Sequence, residues 1–300
     1  MKNYFFILFA AGAIQSVVFG GRQTIPLSIE GINLAATVNY LEISFAFAVG
    51  QLISGAVTPL GGVISDKYGS GKTLLLGIVI SILGCFLIPF STTPLMLVIS
   101  IGILSAGGSG IAGLPVIMSA VNKLVPPEKS GMAFGFVNAG GSVGQFLFAP
   151  LAGLMIINYG WQASIFAICA LLLMVLPLVW ILRHQPENKK KIQAGDNLTL
   201  SKALSLAFNT PSYILLISGF FVCGFHVAFI ITHMPGVIVA CGLSVNVTGW
   251  SLAVIGFFNI LGSLYAGWYI SKRSMKIFLS YIYGCLLYTS PSPRDGLLSR

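Results

Sequence analysis

Long apolar runs separated by short polar stretches dominate this 300-residue chain from its start to about residue 284. Such runs approach or exceed the roughly 20 residues that carry a helix across a bilayer core. They predict helices over 4–28, 38–64, 73–90, 94–121, 131–156, 162–182, 211–239 and 247–270, with a ninth opening near 275. An open sheet is excluded, because a lipid-facing strand edge leaves backbone N–H and C=O groups without partners. The expected class is all-α, a polytopic membrane protein.

Composition agrees: 56% of residues are hydrophobic and 8% are charged, against a charged share of about 25% in soluble domains. The formal charge of +9 does not point to nucleic acid, because the basic residues are sorted by connection. Thirteen of the sixteen Lys and Arg fall at one set of alternating connections: Lys2, Lys67 and Lys72, Lys123 and Lys129, five between Arg183 and Lys202, and Lys272 to Lys276. The opposite connections, 91–93, 158–161 and 241–246, hold none. Basic residues mark the cytoplasmic side, so the N-terminus and the hinge near residue 66 are expected inside; a bacterial inner membrane and a monomer are the further expectations. The five cysteines form no C-x-x-C pair and read as small core residues; no metal, cofactor or catalytic residue is expected.

The most polar short hinge between two apolar runs is Gly62-Val-Ile-Ser-Asp66-Lys67-Tyr-Gly69-Ser-Gly71-Lys72. Gly62 is expected to let another helix approach, and Asp66 to receive the positive N-terminal end of a neighbouring helix as a latch. Lys67 and Lys72 face the cytoplasmic leaflet, and Gly69 permits a tight reversal. The stretch resembles the signature loop of the major facilitator superfamily of secondary transporters, G-x-x-x-D-[RK]-x-G-x-[RK]-[RK], departing from it at Gly71. Ser70-Gly71-Lys72-Thr73 is not a phosphate-binding loop, because Asp66 stands where that motif requires glycine.

Gly267-Trp-Tyr-Ile-Ser271-Lys272 aligns with Gly62-Val-Ile-Ser-Asp66-Lys67 at an offset of 267 − 62 = 205. The resemblance implies a carrier of two six-helix halves with the substrate between them, here truncated to the N-terminal bundle and about three helices of the second. The expected domains are a bundle over 1–183, a cytoplasmic linker over 184–210 and a partial bundle over 211–284. Residues 285–300 break the apolar pattern with Pro291 and Pro293 and back-translate to a sequencing-library adaptor, so they are expected to be foreign to the gene. Met132-Ala-Phe-Gly135-Phe-Val-Asn138-Ala-Gly140-Gly141-Ser-Val-Gly144, followed by Ala149-Pro150-Leu151, is similar to the equivalent helix of the monocarboxylate and oxalate/formate-exchanger branch.

Ionisable groups inside a span cost about 2.5–3.5 kcal/mol at its centre and so mark a pathway or a pair. Arg22 lies in the first run with Gln15 seven residues before it, on one face at helical spacing. Glu42, in the next run, is a possible charge partner for Arg22; the competing reading gives the guanidinium to a substrate carboxylate. His226 and His233, also seven apart, are candidates for proton coupling or for neutral interhelical bonds, and Asn259 is a further polar candidate in the eighth run. The substrate-binding set is therefore Arg22, Gln15, His226, His233 and Asn259. The resemblance implies alternating-access transport of a small organic anion by proton coupling or exchange, in a lipid bilayer. The alternatives are an efflux carrier for another small molecule, or a non-transporting receptor on the same fold.

Overall fold

The computed structural model describes residues 2–35, 38–123, 125–126, 129–183, 205–206, 208–270 and 275–289. They are helical, with no strand among them. Eight helices are long and apolar enough to cross a membrane: α1 Phe5–Ala35, α2 Tyr40–Tyr68, α3 Ser70–Phe90, α4 Pro94–Asn122, α5 Ser130–Tyr159, α6 Trp161–Arg183, α7 Pro211–Ala240 and α8 Val245–Ile270. A shorter α9 covers Met275–Thr289. The expected adaptor begins inside α9 at Cys285, and its residues 290–300 lie outside the described residues. So do 184–204 and 207 of the expected linker, Lys189 to Lys191 among them.

The chain packs as two compact units. One comprises Met1–Gln185 with Ile230–Ser271, the other Pro186–Phe229 with Lys272–Arg300. This division differs from the expected split at 184–210, because α8 packs along the whole length of α5. The contact is antiparallel and made by small residues: a Cβ on Gly135 would lie 2.9 Å from the Ser263 carbonyl, and one on Gly256 2.8 Å from the Phe146 nitrogen. One on Gly249 would lie 2.8 Å from the Ala149 carbonyl. Without a hydrophobic drive in lipid, such close backbone approach is what holds helices together. Asn138 Nδ2 donates to Ser263 Oγ at 2.9 Å across the same seam. The second unit is smaller, and in it Phe220 of α7 meets the Tyr283 ring of α9 at 6.5 Å.

Within the first unit, α2–α3 and α5–α6 repeat one design. Helices α2 and α3 meet through Gly69 (φ 92°, ψ 142°) and α5 and α6 through Gly160 (φ 88°, ψ 164°). Ten residues earlier stand Pro59 and Pro150, each inside its helix. The offset is constant, since 160 − 69 = 91 and 150 − 59 = 91, and it also pairs Leu60 with Leu151, Gly62 with Gly153 and Tyr68 with Tyr159. Two helix pairs that reverse at opposite ends of the bundle make an inverted repeat. Backbone near φ +90° with extended ψ is essentially glycine territory. Gly69→Ala is therefore expected to cost about 1–3 kcal/mol, although nothing lies within 4 Å of the added carbon. A thermal midpoint equal to wild type would remove the conformational argument.

Helices α1 and α4 are both discontinuous. In α1, an α-helix over Lys2–Gln15 passes into a π-helix over Ser16–Gly20, opens at Gln23 and Thr24, and continues as a 3-10 turn over Ile25–Ser28 and a helix over Ile29–Ala35. Pro26 has no N–H to give the carbonyl of Arg22, which is why the ladder opens there. In α4 a π-helix spans Val98–Ser105, and the helix breaks at Ala112–Gly113, where Pro115 cannot donate to Ile111.

Candidate functional site

Arg22 sits where α1 opens and faces the middle of α2. Its Nη1 donates to Ser54 Oγ at 3.0 Å and its Nη2 to Gln51 Oε1 at 3.1 Å. Both acceptors are neutral, so the guanidinium is positioned but its charge is not cancelled. Thr24 Oγ1 donates to the Gly21 carbonyl at 2.7 Å, fixing the turn beside it. An open cleft of about 360 Å³ is lined by Arg22, Gln23, Gln51, Ser105 and Thr232 among others. A second, smaller cavity shares Arg22 and Ser105 with it and is lined also by Ser81, Cys85 and Ser109. Ser105 closes the π-helical part of α4, and π segments concentrate where function bends a helix.

Glu42 does not pair with Arg22. It closes a capping box at the start of α2: its backbone N donates to Asn39 Oδ1 at 3.0 Å, and its Oε2 accepts from the Asn39 backbone N at 2.9 Å. This satisfies two of the donors orphaned at a helix N-terminus. Gln15 and Arg22 likewise do not share a face. Gln15 is buried against Gly141 of α5, because the π-helix over Ser16–Gly20 turns more slowly than an α-helix and seven residues no longer complete two turns. Its Oε1 and the Nε2 of buried Gln145 are both without partners among the described residues.

His233 is exposed and belongs to the first unit; His226 is half-buried and belongs to the second, with Nδ1 3.1 Å from the Val222 carbonyl. Asn259 is exposed on α8. None of these three lines the cavities around Arg22.

At the signature loop, Asp66 and Lys67 are exposed at the end of α2, and Lys67 Nζ lies 5.3 Å from the Tyr68 ring centroid. Lys72, also exposed, opens α3. The expected role of Gly62 passes to its neighbour. Gly62 faces open space, whereas a Cβ on Gly61 would lie 2.9 Å from the Ile111 carbonyl, the group that Pro115 leaves without a donor. One residue rotates a helix by roughly 100°, enough to choose between the two glycines.

Sequence reading missed Gln51, Ser54 and Ser105. Gln51, Ser54 and Thr58 are polar at i, i+3 and i+7 of an otherwise apolar run, which is the pattern of one polar helix face.

A polytopic helical bundle with inverted repeats, two interrupted helices and a half-buried cation beside a cavity has the build of a membrane carrier. The chain belongs to the Major Facilitator Superfamily, whose sequence profile matches residues 5–290, and it is an integral membrane protein. Monocarboxylate transporter 12 of Homo sapiens is 22% identical over 280 residues, covering 84% of this chain and 53% of that protein. The hexuronate transporter of Bacillus subtilis (strain 168) is 25% identical over 293 residues, covering 90% and 65%. The fujikurins efflux protein of Gibberella fujikuroi is 25% identical over 249 residues, covering 82% and 50%. The crystal structure of a D-xylose-proton symporter shares the fold, with a TM-score of 0.64 at 17% identity over 86% of this chain and 66% of that one. The chain spans about half the length of the first curated relatives it matches, 53% and 56% of monocarboxylate transporter 12 from two mammals.

Proposed function

We propose that the protein is an alternating-access secondary transporter of a small organic anion, with Arg22 as the anion-recognition residue. The observation that carries this reading is a guanidinium in the lining of two cavities, held by Ser54 and Gln51 and by no carboxylate among the described residues. A cation in a low-dielectric span that is hydrogen-bonded only to neutral groups is a standing site for a bidentate oxyanion. Relatives whose names include monocarboxylate and hexuronate transporters support a carboxylate over a neutral solute. Exchange or proton coupling drives the cycle, with His226 and His233 as the titratable candidates on α7. The basic residues Lys67 and Lys72 support a reading in which the Gly69 reversal, and with it the N-terminus, lies on the cytoplasmic side.

The test is counterflow in proteoliposomes preloaded with single carboxylates. Accumulation of a labelled monocarboxylate, competed by other carboxylates and not by neutral sugars, is the expected result. Exchange of a neutral solute with no carboxylate flux would overturn the reading.

Asp66 serves this cycle as a latch at the cytoplasmic end, accepting a helix N-terminus in the state that closes that end. Asp66→Ala is expected to slow transport severalfold while insertion and thermal stability stay unchanged, because the side chain is exposed in this state. Unaltered flux in the variant would remove the latch.

A further inference from the structure

Cys85 of α3 and Cys169 of α6 come together inside the first unit. Cys169 Sγ lies 4.0 Å from the carbonyl of Ile82, one turn before Cys85 on the same helix. That carbonyl lies on the turn that leads into Cys85, so the two thiols adjoin across the packing of α3 on α6, and Cys85 Sγ lies 3.4 Å from Ser105 Oγ. Both residues are shielded from the surface, at 2% and 6% exposure. Cys85 nevertheless lines the cavity it shares with Arg22, Ser81, Ser105 and Ser109, while Ile168 and Leu172 of α6 form the apolar wall. The other three cysteines are not part of this arrangement: Cys241 and Cys285 are exposed, and Cys223 is half-buried on α7.

Nothing in the carrier reading uses two adjoining thiols. As core filling, one small residue on each helix suffices. Two adjoining thiols on packed helices, one of them lining the small cavity that also holds Arg22, have the makings of a reactive pair. We propose that Cys85 and Cys169 are a redox site that a hydroperoxide converts to a disulfide, stapling α3 to α6 beside Arg22.

The chemistry balances with hydrogen peroxide as the oxidant. Cys85 sulfur, having released its proton, attacks one peroxide oxygen; an S–O bond forms, the O–O bond breaks, and the leaving hydroxide takes up a proton as water. Cys85 is then a sulfenic acid. Cys169 sulfur attacks the sulfenic sulfur; the S–S bond forms and the S–O bond breaks, and the departing hydroxide leaves as a second water with the proton of Cys169. Two thiols are oxidised by two electrons in total and one peroxide is reduced to two waters. The guanidinium in the same cavity attracts the negative charge that develops around the sulfur and oxygen during the first step. Once the bridge is made, the thiol leaves Ser105, so a cavity wall beside Arg22 changes shape. The site stands on the packing of α3 and α6 and holds whether or not the substrate is an anion.

The experiment uses the full 300-residue chain in lipid nanodiscs, with Cys223, Cys241 and Cys285 replaced by Ser so that only the pair remains. After hydrogen peroxide the protein is denatured, free thiols are alkylated and the digest is analysed by mass. The expected result is a peptide pair joined through Cys85 and Cys169 in most of the chains, lighter by two hydrogens and separated by dithiothreitol. Adding Cys169→Ser to the same background is expected to leave Cys85 as a sulfenic acid that dimedone traps; Cys169→Ala serves where the serine perturbs insertion. Both thiols alkylated after peroxide, or Cys85 oxidised beyond the sulfenic acid with Cys169 still free, would overturn the proposal.

Discussion

Arg22→Gln is expected to lower kcat/KM for the transported carboxylate by about 10- to 150-fold, the equivalent of the roughly 1.5–3 kcal/mol that a hydrogen bond to a charged group contributes. Glutamine keeps a donor but loses both the charge and the planar fork. Arg22→Lys is expected to retain an intermediate rate, because a point charge still attracts the anion while the bidentate geometry is gone. The neutral partners sharpen the test. Ser54→Ala and Gln51→Ala remove one positioning bond each from the guanidinium and are expected to raise KM less than Arg22→Gln does, since the charge remains. Initial uptake rates across a substrate series separate these cases, with carboxylate binding in nanodiscs as a second readout. An Arg22→Gln protein with wild-type affinity and rate would end the anion-site proposal.

The second large effect concerns packing between α1 and α5. A Cβ on Gly140 would lie 2.5 Å from the Gly12 carbonyl oxygen and 2.8 Å from its Cα. The obstacle is backbone, which cannot rotate away as a side chain can. Gly140→Ala is thus expected to destabilise the first unit by about 1–3 kcal/mol, the usual cost of overpacking a close-fitting interface. Gly55→Ala is the control, since nothing lies within 4 Å of its added carbon; alanine there is expected to be neutral or to stabilise by up to about 1 kcal/mol through helix propensity. The thermal midpoints of the two variants in the same detergent are the measurement. Equal midpoints would mean that the helices separate without cost and that the glycine face is not what holds them.

The spans were legible because an apolar run of membrane length has few other readings. Their ends were less so. Ser65 to Lys72 reads as a polar loop, yet all of it is helical except Gly69, since one glycine with a positive φ suffices to reverse the chain. The Asn39-x-x-Glu42 spacing is a capping signal, and that spacing alone identifies Glu42 as part of a helix terminus. Taken only as an ionisable group in an apolar run, the same residue suggests an arginine partner instead. The π segments were not legible, because backbone register there depends on how α1 and α4 pack against neighbours far away in sequence. That register carried Gln15 away from Arg22. It also brought in Ser105, one hydroxyl among many small ones and therefore inconspicuous in the sequence.

The offset of 91 that relates Pro59 and Gly69 to Pro150 and Gly160 stops at Asp66 and Lys67, whose counterparts are Ile157 and Asn158. The backbone of the two copies therefore expresses no preference between leaflets: turned over, the bundle would offer the membrane nearly the same reversals at each face. Direction of insertion is written only in side chains, added to one copy and left off the other. A bundle that a half-turn about an axis in the membrane plane would nearly restore acquires an up and a down from the basic residues sorted to one set of its connections.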